Sequence, residues 1–201
     1  MQTFLEQVAY NVIEAHGSDL HRIAIVVPGQ RAAAHLQRYL GQRIGRSFWA
    51  PRMLDMGQIL AHIANAQQAH RPELLLALHR TVNHLRSVEP ASLDELLQWG
   101  PTVLNVMSEV DHHLIDLDEL YRDLRSYAEI EQWSLVLDDE LSESQLRTVA
   151  HWQRNGELHR SMHAHMNSTR RGTSGWIARE AAARAAVVEL PWELSLIHIS
   201  E

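Results

Sequence analysis

The residues best suited to chemistry are histidines and carboxylates in the second half of the sequence. His159 and His163 stand four positions apart, so a helix would place both imidazoles on one face at chelating distance, with Glu157 and His165 close by. No third ligand has a diagnostic spacing, and the zinc-protease motif HExxH is absent. We therefore expect a polar, solvent-facing helix surface here and no metal site.

A second group of this kind is Asp111, His112 and His113, which lies in a charged helical stretch. Adjacent residues on a helix point about 100° apart, so neighbours in sequence do not easily bind the same ion. The carboxylates of Asp138, Asp139 and Glu140 form a run of like charge, which is more typical of a solvated loop than of a cation site. We expect no metal at either place.

Positive charge concentrates between Pro28 and Leu54, where five arginines and no acidic residue occur: Arg31, Arg38, Arg43, Arg46 and Arg52. The preceding run, Ile23 to Val27, is typical of a strand buried in a parallel sheet. The turn after it would lie at the carboxyl end of the strand, where open α/β sheets bind ligands. Amides of the next helix, together with Arg31, would face an anion such as phosphate. The other four arginines, Arg38, Arg43, Arg46 and Arg52, could extend that contact along a nucleic-acid backbone. The sequence leaves open the alternative that this is an ordinary arginine-rich surface helix.

Composition excludes several other functions. All 18 basic residues are arginine, so no lysine can serve a phosphate-binding P-loop. The absence of cysteine excludes disulfides, thiolate zinc sites and cysteine nucleophiles. The net charge of −7 conceals a strongly acidic stretch from Glu89 to Glu143, in which Arg122 and Arg125 are the only basic residues. No apolar run is long enough to cross a membrane, and we expect a cytoplasmic protein.

Hydrophobic periodicity and capping patterns predict a mostly helical chain. A first helix is expected from Thr3 to His16, and a second from Gln30 to Leu40, closed by Gly41. Ser47 to Leu54 is interpreted as a second strand or an extended link, and a bundle of helices follows to about Asn167. Three pairs have helix-start spacing: Ser92 with Glu95, Asp116 with Glu119, and Ser142 with Gln145. After a loop at Gly172 to Gly175, a last helix is expected from Trp176 to Val188.

The last eight residues, Leu194 to Glu201 (LSLIHISE), require a separate explanation. They match the in-frame translation of a transposase mosaic-end adapter of the kind used to build sequencing libraries. The alternative is a genuine apolar strand. We expect an adapter-derived tail, with the natural sequence ending at about Glu193 as the N-terminal fragment of a longer protein.

The order of these features resembles a known family. Four segments carry the resemblance: FLEQVAYNVIEAHGSDLHRIAIVVPGQRAAAHLQRYL, WAPRMLDMGQIL, DELLQWGPTVLNVMSEVDHHLIDLDELYRDL and LSESQLRTVAHWQ. Together they resemble the N-terminal part of AddB-like proteins of the PD-(D/E)XK nuclease family. Those proteins begin with a superfamily I helicase-like domain that has lost its ATPase motifs and end with a nuclease domain.

The resemblance implies a DNA-binding role without ATP hydrolysis. IAIVVPGQRAAAHL is similar to the strand and helix that touch single-stranded DNA in active helicases, which implicates Gln30 and Arg31, and secondarily Arg52. Gly29 stands where the family often has a larger polar residue. The nuclease carboxylates and lysine of the family would lie far downstream, so we expect no cofactor and no DNA cleavage here, and a Mg²⁺-dependent nuclease domain only in the parent protein.

We therefore expect an α/β, mostly helical fold: a partial RecA-like parallel sheet with a large helical insertion. The expected division is 1–56 for the start of the inactivated helicase-like domain, 57–170 for the insertion, 171–193 for a returning helix and 194–201 for the tail. The expected function is strand binding or scaffolding in DNA double-strand break repair, with DNA and an AddA-type helicase-nuclease subunit as partners and no membrane. The alternative is a helical protein-interaction module with an acidic docking face and no DNA binding.

Overall fold

The structure is a computed structural model that describes residues 3–86, 90–123 and 143–196. Its helices are α1 (Phe4–His16), α2 (Gln30–Ile44), α3 (Met56–Ala64), α4 (Arg71–Leu85), α5 (Leu93–His112), α6 (117–123), α7 (Glu143–Thr169) and α8 (Ser174–Arg184). Its strands are β1 (Ile23–Val26), β2 (Arg52–Leu54), β3 (Gln67–Gln68), β4 (Arg171–Gly172) and β5 (Glu193–Leu196). The chain is thus α/β and mostly helical, as the sequence predicts.

The chain forms two compact units, one of residues 1–64 with 181–201 and the other of residues 65–180. We call them the sheet unit and the helical unit. The two units are defined by the contacts between residues of this chain. The predicted domain boundaries concern a longer protein and stay predictions.

The sheet unit is built on β1, which lies between β2 and β5 in a three-stranded sheet. Both pairings are parallel, with Ala24 opposite Arg52 on one side and opposite Leu194 on the other. All four residues of β1 are buried, and Ile23 and Ile25 share a core with α1 and α2. The core side chains are Ala9, Val12, Leu20, Ile23, Ile25, Val27, Leu36 and Leu40. The predicted buried parallel strand is therefore confirmed.

The start of α1 and the end of α2 test two predicted helix caps. At α1, the Thr3 hydroxyl accepts from the Glu6 amide while the Glu6 carboxylate accepts from the Thr3 amide, so the predicted capping box is confirmed. The prediction that Gly41 closes α2 is wrong, because the helix continues to Ile44. Gly45 ends it in the left-handed conformation, at φ +65°, and donates its amide to the Gly41 carbonyl.

Strand β5 falls partly on the predicted tail. Residues Glu193–Leu196 pair with Ile23–Val26, so the first three residues of the 194–201 segment belong to the sheet. Residues 197–201 lie outside the described part of the chain. Backbone hydrogen bonds between strands do not depend on the origin of the sequence. The adapter origin of residues 194–201 therefore stays a prediction.

The helical unit contains α4 to α7 and the two-stranded parallel sheet of β3 and β4. Helix α4 packs against α5 and α7, and the buried side chains include Leu78, Leu96, Met162 and Trp176. The predicted helix starts at Ser92 and Asp116 are confirmed, since each side chain accepts the amide three residues on. The predicted start at Ser142 lies outside the described residues.

The last helix differs from its prediction at both ends. Helix α8 begins at Ser174 because the Thr173 hydroxyl accepts from the Trp176 amide and caps the first turn. It ends at Arg184, after which the amides of Val187 and Val188 turn back to the Arg184 carbonyl. The predicted helix range, Trp176 to Val188, is wrong at its end because the alanine-rich run contains no residue that signals a helix stop.

No helix in the described part of the chain is long and apolar enough to cross a membrane.

Candidate functional site

The arginine-rich helix α2 follows β1 directly at the carboxyl end of the strand. Val27 donates its amide to the Leu54 carbonyl, so β1 and β2 end at the same edge of the sheet. Gln30 and Arg31 form the first turn of α2 beside this edge, and both side chains are exposed. No side chain caps this helix start, which leaves the first amides and the positive end of the helix dipole facing outward.

Arg38 extends the positive charge of α2 along one face. It stands seven positions, or about two turns, after Arg31, and it is also exposed. Helix α2 contains no Asp or Glu, and among the residues that the structure describes no ion pair involves Arg31 or Arg38. We call Gln30, Arg31 and Arg38 the α2 face.

Arg52 does not join this group. It begins β2 opposite Ala24, two positions before the end of the β1–β2 ladder, so it lies towards the amino end of the strands. Its guanidinium lies 4.9 Å from the centre of the Trp192 ring, in a cation–π contact. The structure thus places Gln30, Arg31 and Arg38 on one helix and Arg52 on strand β2.

Trp49 is a surface feature that the sequence analysis missed. Its side chain is 80% exposed, in the link between α2 and β2, while the neighbouring Phe48 packs against the core. The signal in the sequence was an aromatic residue between Arg46 and Arg52. The sequence alone does not show which of the adjacent Phe48 and Trp49 is buried and which is exposed.

The helical unit contains a different polar cluster, formed by Asp111 of α5 and His159 and His163 of α7. Asp111 and His159 are fully buried, and the His163 side chain is 17% exposed. One ligand atom from each residue lies within 4.8 Å of the others. We call these three residues the Asp–His–His cluster. The prediction of a solvent-facing surface at His159 and His163 is therefore wrong, because this side of α7 packs inside the helical unit.

The histidines approach the carboxylate through the same ring atom. Nε2 of His163 lies 2.9 Å from each Asp111 oxygen, and Nε2 of His159 lies 3.5 Å from Oδ2. The other ring nitrogen of His159, Nδ1, is hydrogen-bonded to the Tyr121 hydroxyl at 3.1 Å. Arg179 of α8 donates Nε to Oδ1 of Asp111 at 2.9 Å.

These contacts determine how the acidic groups titrate. Burial alone would raise the pKa of Asp111, but hydrogen bonds from His159 and His163 outweigh it and lower the pKa to about 2. Burial raises the pKa of Tyr121, and the negative charge of Asp111 raises it further. Asp111 is therefore a carboxylate and Tyr121 a neutral phenol at neutral pH.

The other predicted histidine and acidic residues that the structure describes lie elsewhere, and Asp138, Asp139 and Glu140 fall outside the described part of the chain. Glu157, His112 and His113 are exposed, and His113 is paired with Glu109 at 3.2 Å. His165 does not belong to the group of potential ligands found among the described residues. The sequence showed the i, i+4 spacing of the histidines. It could not show that Asp111, 48 positions before His159, completes the group.

Comparison with known proteins adds no family to these observations. No protein-family model matches the chain, and no curated protein matches its sequence. The AddB-like resemblance therefore stays a prediction, and the function is proposed from the residues and their geometry.

Proposed function

We propose that this chain is the N-terminal, non-hydrolysing part of an AddB-like subunit that binds a DNA strand in double-strand break repair. The α2 face carries the proposal, because it exposes two arginines on an acid-free helix. The partners are DNA and an AddA-type helicase-nuclease subunit, in the cytoplasm. The parallel pairing of β1 with β2, beside helix α2 in the same core, supports the start of an inactivated RecA-like domain. The Mg²⁺-dependent nuclease chemistry would belong to a separate domain of the parent protein.

Phosphate is the ligand that suits the α2 face best. Arginine forks donate two hydrogen bonds to a phosphate, and the uncapped amides at the start of α2 favour the same charge. Arg31 and Arg38 lie about 10 Å apart along the helix axis, a length similar to three nucleotide rises of about 3.4 Å. The pair is therefore suited to two phosphates of one strand that are about three nucleotides apart.

The net charge of −7 does not oppose this proposal, because the charge is segregated. At physiological ionic strength, charges are screened beyond about 8 Å, so a DNA strand on α2 responds mainly to the local arginines. The uninterrupted positive charge of α2 would then attract a phosphate backbone even on an acidic protein.

The test is binding of a fluorescently labelled single-stranded oligonucleotide, measured by anisotropy over a series of salt concentrations. Affinity should fall steeply as the salt concentration rises. In the double variant Arg31→Ala/Arg38→Ala, the negative slope of log K against log[salt] should become shallower by about 1.4, or about 0.7 for each lost phosphate contact. Arg71→Ala/Arg80→Ala is the matched control, because it removes two exposed arginines from α4 of the helical unit. Equal losses from both double variants would mean that α2 has no specific role.

Unchanged DNA binding in Arg31→Ala/Arg38→Ala would overturn the proposal for this chain. The alternative would then be a protein-interaction module. Its support in the structure is the exposure of acidic and apolar side chains together on α5, where Leu93 is 42% and Leu97 47% exposed beside the exposed Asp94 and Glu95.

A further inference from the structure

We propose that the Asp–His–His cluster is a binding site for a divalent first-row transition cation, for which Zn²⁺ is the best match. Two imidazole nitrogens and one carboxylate oxygen are ligands that such cations accept. The proposal is independent of the DNA-binding proposal, because it concerns other residues in the helical unit.

The distances from the carboxylate oxygen to the two ring nitrogens are close to those around a single ion. Two ligands of a tetrahedral Zn²⁺ with bonds of about 2.0 Å lie about 3.3 Å from each other. Oδ2 of Asp111 lies 2.9 Å from Nε2 of His163 and 3.5 Å from Nε2 of His159, and the three ligand atoms are all within 4.8 Å. Small side-chain movements would bring the three atoms around a common centre.

The surrounding groups orient the ligands. Tyr121 contacts Nδ1 of His159. With an ion bound, Nδ1 would donate its proton to the phenol oxygen, and Nε2 would lose its proton to Nδ1 or to solvent and offer its lone pair to the ion. Arg179 contacts Oδ1 of Asp111, and Oδ2 is the oxygen nearest to both histidines. Metal-binding histidines usually donate their second ring nitrogen to an oxygen acceptor.

One of the two hydrogen bonds of His159 is long. Its side chain is fully buried, and the 3.5 Å separation between its Nε2 and Asp111 is at the long limit for a hydrogen bond. Buried polar atoms normally have a close partner. A cation between the rings and the carboxylate would supply that partner for His159 and replace the proton on Nε2 of His163.

The number of protein ligands defines the kind of site. A zinc ion with three protein ligands keeps its fourth position for water or for an anionic ligand. The Arg179 guanidinium beside Asp111 would favour an anion there. We infer an open site of this type, in which the ion also links α5 to α7.

The test uses the full 201-residue protein, treated with a chelator and titrated with Co²⁺ at neutral pH. Wild-type protein should develop the ligand-field absorption of a low-symmetry Co²⁺ complex at one equivalent, and Zn²⁺ should remove it. His163→Ala should lose the absorption, and Tyr121→Phe should weaken Zn²⁺ binding by about 10 to 100-fold in competition with a chromophoric chelator. His112→Ala/His113→Ala is the matched control and should bind like wild type, since both rings are exposed.

Two results would overturn the proposal. One is the absence of ligand-field absorption in wild-type protein. The other is equal absorption in wild type and His163→Ala, which would assign binding to other histidines. Circular dichroism checks that each variant is folded. If His163→Ala does not fold, the wild-type spectrum together with His163→Gln, which keeps a polar side chain of similar reach, decides the question.

Discussion

Nε2 of His163 lies 2.9 Å from both carboxylate oxygens of Asp111, although the two residues are 52 positions apart. Arg179, 68 positions after Asp111, reaches the same carboxylate. One fully buried charge thus joins three helices, α5, α7 and α8. Because a buried carboxylate without partners is costly, the contacts to this side chain should be sensitive to substitution.

Stability should depend on the protonation of Asp111. Its pKa of about 2 in the folded protein lies below the ordinary 3.8, so its stabilising effect is complete above pH 3.8 and is lost as pH falls towards 2. The loss should be on the order of 2 kcal/mol in the free energy of unfolding. Urea unfolding at pH 5, 4 and 3 should show a steeper decline for wild type than for Asp111→Asn. Parallel declines would contradict the role of this carboxylate.

Removing Arg179 should destabilise the helical unit. Arg179→Ala leaves the buried Asp111 charge with fewer donors and frees the Ile115 carbonyl, which Arg179 also contacts. The expected cost is about 3 kcal/mol in the free energy of unfolding, measured in urea. Arg160→Ala is the control, because its ion pair with Asp118 lies on the surface and should contribute less than about 1 kcal/mol. Similar costs for the two variants would contradict the argument.

Two glycines at the end of α2 should respond oppositely to alanine. Gly41 lies inside the helix, and a Cβ there would meet only Phe48, at 3.8 Å, so Gly41→Ala should stabilise by about 0.5 to 1 kcal/mol. Gly45 has φ +65°, so Gly45→Ala should destabilise by about 1 kcal/mol. Thermal unfolding of both variants measures the difference. Destabilisation by Gly41→Ala would place the helix end where the sequence predicts it.

Gly175 should not tolerate any side chain. A Cβ at this position would lie 1.7 Å from the Ser108 carbonyl oxygen, which is a rigid backbone atom. Gly175→Ala should therefore force α8 and α5 apart and cost about 1 to 3 kcal/mol or more. Gly41→Ala serves as the reference for an alanine that fits. Unfolding in urea with an unchanged midpoint for Gly175→Ala would show that the two helices do not pack this closely.

Trp49 provides a prediction that depends on the DNA-binding proposal. An exposed indole between arginines is suited to stack on an unpaired base, so Trp49→Ala should lower the affinity for single-stranded DNA by about 1 to 3 kcal/mol. Folding should be unaffected, because the side chain is 80% exposed. Anisotropy measures the affinity, and circular dichroism checks the fold. Unchanged affinity would exclude Trp49 from the interface without deciding the role of α2.

Local signals predicted the local structure well. The capping box at Thr3 and Glu6 and the β-branched run of β1 involve residues within one turn or one strand, so their energetics can be evaluated from the sequence. The end of α2 was mistaken because Gly41 and Gly45 are equally plausible stops. Only the backbone conformation at Gly45 distinguishes them.

The sequence by itself determined the helical character, the buried β1, the acid-free run of arginines and the lack of lysine and cysteine. These properties follow from composition and short-range spacing. The tertiary structure alone decided that Trp49 faces outward, that Arg52 contacts Trp192, and that Asp111 meets His159 and His163. Those relationships depend on which helix faces pack together. Contacts between positions about 50 residues apart leave no periodic pattern in a single sequence.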